Sequence, residues 1–397
     1  VADNRRMSRN DPPPAACDIA VVGGGILGLA VARELKLRQP DASICLLEAE
    51  GRLAAHQSSH NSGVVHAGVY YQPGSLRAKL CVEGAARLRE YCAERGLPWR
   101  TTGKLIVATE EGELTRLDEL ERRARANGVN ELTKVDAAEI AQVEPAARGL
   151  SALHSPTTAV TDFAAIAESF AQDFETAGGT IHLGTPAAKR LPVDCETAVF
   201  CAGLQSDRLA RARGGSAEPR IVPIRGGYLE VRADQSDLVR GNVYPVPDPD
   251  LPFLGAHLTR TFDGALLIGP TAMITGARDA YRLSTVRRHD LGETLRWPGT
   301  WALMRRHWRA TLDEAANSVR ANRLTRQAAR LVPALHGAEV IPGPAGVRAQ
   351  ALDRRGNLVE DFLIERIGDD IHVRNAPSPA ATSSLSLAGL IAHEALR

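Results

Sequence analysis

The chain is poor in lysine. Of its 48 basic residues only five are lysine (Lys36, Lys79, Lys104, Lys134 and Lys189) and the other 43 are arginine. That bias reads first as the codon usage of a GC-rich bacterial genome and only second as chemistry. Net charge is equally scarce: 48 cationic against 47 anionic side chains leaves +1. No global field draws the chain to nucleic acid or to an acidic membrane, and no nucleic-acid partner is expected. The six cysteines form no C-x-x-C pair and no zinc spacing, which points to a reduced, cytoplasmic protein. Long apolar runs are missing. The longest, Ile19 to Ala32, has fourteen residues, four of them glycine, too short and too flexible to span a bilayer. H-E-x-x-H, G-x-S-x-G and P-loop motifs are absent, so zincin, α/β-hydrolase and NTPase readings fall away and no metal site is expected. The first sixteen residues are polar, carry three prolines and lack a signal-peptide core, so 1–16 is expected to be a disordered tail.

What remains is an ordinary globular composition, 44% hydrophobic and 24% charged, over 397 residues. That length suggests two domains, or one α/β body with an inserted region. The strongest local signal runs from 18 to 50. Ile19 to Val22 is an apolar β-prone run; Gly23, Gly25 and Gly28 supply G-x-G-x-x-G; helical spacing follows; a second strand, Ile44 to Leu47, ends at Glu48. Gly23 permits the tight turn, Gly25 lets the backbone approach a pyrophosphate on the helix N-terminus, and Gly28 lets helix and strand pack closely. Glu48 can accept the ribose hydroxyls of an adenosine. A dinucleotide is therefore expected, and an acidic strand end argues against NADP.

Three later segments bear on the choice between NAD and FAD. HQSSHNSGVVHAGVYY, 56 to 71, is a polar loop directly after the second strand, at the ligand-binding edge of a doubly wound sheet. A short buried-strand pattern from Ala198 ends at Gly203, as a returning strand would. The last block, 372 to 396, is a strand, a Pro/Ser/Thr turn and a helix whose N-terminus falls near Thr382 and Ser383. Segments so far apart converging on one nucleotide describe a flavoprotein better than a nicotinamide dehydrogenase.

Several strings carry a resemblance: HNSGVVHAGVYYQPGSLRAKLCVEG (60 to 84), GKLIVAT (103 to 109), YPVPDPDLPFLGAHLTR (244 to 260), GVRAQAL (346 to 352) and NAPSPAATSS (375 to 384). With them the chain resembles the FAD-dependent glycine oxidase/D-amino-acid oxidase superfamily and, within it, the L-2-hydroxyglutarate oxidase/dehydrogenase family, from about residue 17 to the end. The resemblance implies non-covalently bound FAD. It implies an α/β fold: a Rossmann-like FAD-binding domain with a discontinuous α+β substrate domain built on an antiparallel sheet. Pro- and Gly-rich junctions suggest an FAD domain of 17–85, 150–205 and 340–397 and a substrate domain of 86–149 and 206–339. The implied activity is oxidation of an L-2-hydroxy acid, L-2-hydroxyglutarate foremost, to its 2-oxo acid. Oxygen or a quinone would be the acceptor. The alternative is a related FAD oxidoreductase for another hydroxy acid, an amino acid or amine, or a specialised-metabolism intermediate. Three departures favour keeping it: 184 to 197 is short, Gly227 stands where the family shows Glu, and Thr271 where it shows Asn.

Oxidising a 2-hydroxy acid requires hydride transfer to flavin N5, a base for the hydroxyl proton and a cation for the carboxylate. The base is expected to be a neutral imidazole. His60, His66 and His257 lie in the matching strings, and His66 or His257 is the expected base. Arg348 is the expected carboxylate clamp, because guanidinium matches carboxylate bidentately. A second carboxylate needs further donors, sought among Lys79, Arg77, Tyr70, Tyr228, Tyr244 and Arg260. Lys79 draws notice because lysine is so rare here. Asn61 and Ser62 are expected to hold the flavin, and Asn375, Ser378, Thr382 and Ser383 to donate to its pyrimidine oxygens. Residues 287 to 330 are Arg-rich and carry Trp297, Trp301 and Trp308. They are expected to form a helical cap, and peripheral contact with the inner membrane face is a second reading of them.

Overall fold

The computed structural model describes residues 8–129, 131–251 and 253–397. Residues 1–7 of the expected tail, and Pro252 within the 244–260 string, lie outside the described residues.

Two large sheets organise the chain. The first runs Leu363–Ile367, Asp370–Asn375, Asp194–Phe200, Ala16–Val22, Ile44–Leu47, Thr180–His182. Neighbours are parallel except the outermost pair, Leu363–Ile367 and Asp370–Asn375. Helices cover this sheet, so its inner strands read as continuous apolar runs. The helix Ile26–Arg38 packs on both Phe163–Thr176 and Ser384–Ala395. Ala16–Val22 sits between Ile44–Leu47 on one side and Asp194–Phe200 on the other. The chain thus leaves one way and returns the other, which opens a crevice at the carboxyl ends of those strands.

The second sheet runs Met273–Ile274, Arg220–Val231, Leu266–Gly269, His257–Arg260, Asn242–Pro245, Lys104–Ala108, Ser151–Ser155, Thr133–Asp136, with Val340–Leu352 paired along Arg220–Val231. It is antiparallel except where Asn242–Pro245 lies parallel to Lys104–Ala108. Strand alternation sorts its side chains. Leu105, Val107, Val243 and Leu258 enter one core cluster, whereas Ile106, Ala108 and Tyr244 enter another. Lys104, two residues before Ile106, shares the Tyr244 face.

The structure moves the expected borders. Val340–Leu352 belongs to the second sheet, not to the FAD domain. Its Pro342 and Pro344, which read as a linker, sit on a strand that pairs on one side only, where a missing N–H is harmless. Ser151–Ser155 also joins the second sheet. The border at 85/86 falls inside one continuous helix, Leu76–Arg95, whose Leu80, Leu88 and Tyr91 pack into the core beside the first sheet. The tail is shorter than expected. Arg9 donates to Glu175 at 2.8 Å, its carbonyl accepts from the Leu183 N–H, and Asp11 O meets His182 Nδ1 at 2.9 Å. Residues 9 to 11 therefore shield the open edge at Thr180–His182.

Residues 287 to 330 form the helices Arg288–Arg296, Pro298–Arg306, Trp308–Val319 and Ala321–Ala328. Trp297 is buried and donates to Leu352 O, while Trp301 and Trp308 are each 54% exposed. Among the described residues no helix is long and apolar enough to cross a membrane.

Candidate active site

The crevice carries the three motif glycines in three different constraints. Gly23 has φ +112°, and a Cβ there would lie 2.4 Å from Cys201 O on the returning strand's end. At Gly28 a Cβ would lie 1.9 Å from Gly23 O, so helix and turn touch through bare backbone. Gly25 precedes the helix Ile26–Arg38, beside Ser58 Oγ. Ser58, which the motif does not include, accepts the Ile26 N–H at 2.9 Å and marks the anion-binding end of that helix. Glu48 is buried and oriented by two N–H donors, Gly24 at 2.5 Å and Glu50 at 2.8 Å. Gly203, with φ +47°, begins the turn after Asp194–Phe200, facing Gln57. This backbone cradle fits the pyrophosphate and adenosine of FAD.

The other expected flavin residues divide. Thr382 Oγ1 accepts the His66 N–H at 3.1 Å, tying the 56–71 loop to the last segment. The hydroxyls of Ser383, Ser384 and Ser386 are buried without a partner among the described residues, at the N-terminal end of Ser384–Ala395. Unused donors at a helix N-terminus fit a polar flavin edge. Ser378 is exposed, its Oγ 3.3 Å from His66 Nε2. Two expectations change. Asn375 cannot donate to a flavin, because its Nδ2 already donates to Val359 O and Asp361 O, both at 2.8 Å. Asn61 is spent on its own loop: Nδ2 donates to Gln57 O and Ser58 O, and Oδ1 accepts the Gly63 N–H. Ser62 lines a 230 Å³ cavity with Gly63, Thr161, Phe163 and Phe262, and it also neighbours Tyr228.

That cluster gathers on the second sheet. His257 is 7% exposed and its ring lies 4.0 Å from that of Tyr244. His257 Nδ1 is 2.9 Å from Gly255 O. A carbonyl only accepts, so Nδ1 carries the proton and Nε2 of the neutral ring is a free lone pair. Burial pushes His257 down to about 4, with the charges of Arg348 and Lys104 adding to it. Burial pushes His66 down to about 3, again helped by Lys104, and its Nδ1 has no partner among the described residues. Arg348 donates to Thr271 O at 3.2 Å and lies over the Phe253 ring, with no carboxylate at ion-pair distance among the described residues. Tyr244 Oη lies 3.4 Å from Thr259 Oγ1.

The lysine of the cluster is Lys104, not Lys79. Lys79 is exposed on Leu76–Arg95, whereas Lys104 is 2% exposed, its Nζ 4.9 Å from the Tyr70 ring and 5.4 Å from the Tyr244 ring. Rarity drew attention to the wrong lysine; the better signal is a lysine heading the apolar strand KLIVA. Arg260 points to the opposite face of its strand and pairs with Asp237 at 2.7 Å. Arg77 braces the carbonyls of Ser378 and Glu360. His60 is stacked on Tyr281 at 3.9 Å with Nδ1 on His56 O, outside the cluster.

The chain is similar to known proteins over nearly its whole length. The profile of the FAD dependent oxidoreductase (DAO) family matches residues 18–394. The mitochondrial L-2-hydroxyglutarate dehydrogenase of Nematostella vectensis is 42% identical, covering 96% of this chain and 91% of its own. The L-2-hydroxyglutarate dehydrogenase of Indibacter alkaliphilus is 38% identical, covering 96% and 98%. Among solved structures, L-alpha-glycerophosphate oxidase from Mycoplasma pneumoniae with FAD bound superimposes with a TM-score of 0.73 at 23% identity, over 96% of this chain and 94% of that one. Glycine oxidase from Geobacillus kaustophilus gives 0.67 at 20% identity, over 96% and 95%. With the glycine cradle, the oriented Glu48 and a match over nearly its whole length, the chain belongs to the FAD dependent oxidoreductases of the DAO family and is similar throughout to their L-2-hydroxyglutarate dehydrogenases.

Proposed function

We propose that the chain oxidises L-2-hydroxyglutarate to its 2-oxo acid, with His257 as base. The relatives' names support the substrate, and one observation carries the chemistry. His257 is a buried neutral imidazole whose tautomer is set by Gly255 O, so Nε2 can take the hydroxyl proton. Tyr244 packs against the ring, the two planes tilted by 31° at a centroid distance of 4.0 Å. The Arg348 fork takes the carboxylate beside the carbinol, with Tyr228 near its charge. The flavin, when bound, accepts the hydride. His66, held through Thr382 and Ser378, orders the loop beside it. A panel of hydroxy and amino acids tests this reading. L-2-hydroxyglutarate should exceed glycine and neutral amino acids at least ~100-fold in kcat/KM. Comparable turnover of an amino acid would transfer the reading to amine oxidation.

The relatives are named dehydrogenases, which favours a quinone over oxygen as acceptor. The helical cap offers a surface for it on the inner membrane face of a bacterial cell: Trp301, Trp308, Leu312 and Val319 are exposed beside Arg305, Arg309 and Arg320. Co-sedimentation with anionic vesicles, lost on Trp301→Ala plus Trp308→Ala, is the expected outcome. No binding by the unaltered protein would exclude this contact.

A further inference from the structure

The proposed function gives a cation, Arg348, to the carboxylate beside the carbinol and none to the far end of the substrate. The cluster has two, and the second has no assigned use. We propose that Lys104 receives the distal carboxylate of a dicarboxylate substrate. Arg348 and Lys104 then select a dianion whose carbinol lies between them at His257. This rests on the proposed reaction and adds the group that sets chain length and terminal charge.

A buried ammonium is costly unless paired. Lys104 is 2% exposed, and among the described residues no carboxylate lies within ion-pair distance of it. Its neighbours cannot neutralise it. The Cys81 thiol stays protonated, pushed up to about 12 by burial, and Tyr70 and Tyr244 are likewise raised by burial. The two tyrosine faces stabilise the cation in part, and its three donors have no hydrogen-bond partner among the described residues. A second donor waits in the same place: Tyr70 Oη is buried without a partner among the described residues. A carboxylate would supply a partner to both the ammonium and the phenol hydroxyl. The placement agrees. The charges of Arg348 and Lys104 both reach His257, and those of Lys104 and Arg77 reach His66, so the imidazole that would take the proton is close to both proposed carboxylate partners. Strand alternation brings the lysine and the imidazole together, since Lys104, Tyr244 and His257 share one face of the second sheet.

Lys104→Met keeps length and removes charge. It should raise KM for L-2-hydroxyglutarate at least ~30-fold, the loss expected for a desolvated charged partner. It should leave kcat/KM for L-2-hydroxyvalerate, of equal length without the distal carboxylate, unchanged or higher. Lys104→Arg should recover part of the loss. The dissociation constant of glutarate, an unreactive dicarboxylate read from the perturbed flavin spectrum, should rise by the same factor in Lys104→Met. Flavin content and sulfite affinity should stay constant. An equal fall on both hydroxy acids, or altered sulfite affinity with selectivity unchanged, would show that Lys104 serves the flavin and overturn the proposal. Glutarate binding indifferent to position 104 would overturn it even if the protein oxidises L-2-hydroxyglutarate. Lys104-dependent glutarate binding by a protein that oxidises no hydroxy acid would uphold the carboxylate site and defeat the reaction assigned to it. If Lys104→Met loses flavin, Lys104→Arg with both substrates and glutarate decides in the same way.

Discussion

Gly227 and Thr271 hold each other by two hydrogen bonds. The Gly227 N–H donates to Thr271 Oγ1 at 3.0 Å, and the Thr271 N–H donates to Gly227 O at 2.9 Å. Both are positions where the chain departs from the resembled family, and their contact makes the two departures one local rearrangement. The space a side chain would need at 227 is filled by Arg225, whose Nη1 lies 2.5 Å from where a Cβ would stand. On the other side, Thr271 O accepts from Arg348, so the pair also supports the proposed carboxylate clamp.

Thr271→Val keeps shape but removes the acceptor of the Gly227 N–H. The expected cost is about 1–2 kcal/mol of stability, with a raised KM because Arg348 loses a fixed neighbour. Urea unfolding of the flavin-loaded protein, alongside KM, checks this. Unchanged values for both would contradict the coupling.

His257→Asn should lower kcat/KM by about 10²–10⁴, the usual worth of a general base, while flavin content holds. Because Nε2 must be unprotonated and burial holds the ring down to about 4, activity should not break near pH 6.5 and should fall only as pH approaches 4. At the other end Lys104 is held down to about 8 by burial. Its facing groups, Tyr70, Tyr244, Cys81, His66 and His257, are all neutral there, so dicarboxylate affinity should weaken as pH rises through 8. A pH profile for L-2-hydroxyglutarate with a limb near 6.5 would contradict this assignment.

His372 gives a stability prediction. It is 1% exposed, stacked on Phe200 at 4.2 Å, and neither ring nitrogen has a partner among the described residues. Burial pushes it down to about 4 in the folded chain. The unfolded chain, titrating near 6.5, takes up the proton first as pH falls. Stability is therefore complete above about 6.5 and is lost between 6.5 and 4, by up to about 1.4 kcal/mol per pH unit for such a group. His372→Phe should flatten that slope. Denaturation at pH 5 and pH 7 measures it, and an unchanged slope would mean the ring is charged in the fold.

Gly28→Ala should yield protein without flavin, or none that is soluble, because the added carbon would overlap Gly23 O. Gly51→Ala, with nothing within 4 Å, should load normally. The ratio of visible to ultraviolet absorbance of the two purified proteins reads the difference.

Much of this was legible in the sequence because local rules dominate it. Gly23, Gly25, Gly28 and Glu48 act through chain spacing alone. The helices at 76–95 and 111–126 follow periodicity and caps, Ser75 capping the first and Glu110 with Glu113 boxing the second. What stayed hidden depends on which strands meet. Nothing along KLIVA says that its lysine faces two tyrosines from residues 70 and 244. Pro342 and Pro344 read as a linker because an edge position cannot be told from a loop in one dimension. Asn375 and Asn61 look like ligand donors until their amides are found spent on nearby loop backbone.

The most direct test is the visible spectrum of the purified protein under anaerobic conditions, before and after L-2-hydroxyglutarate. An oxidised-flavin band that bleaches on addition is the expected result. A flavin band that persists would contradict the proposed substrate, and a protein that binds no flavin even after FAD is added would contradict the nucleotide cradle itself.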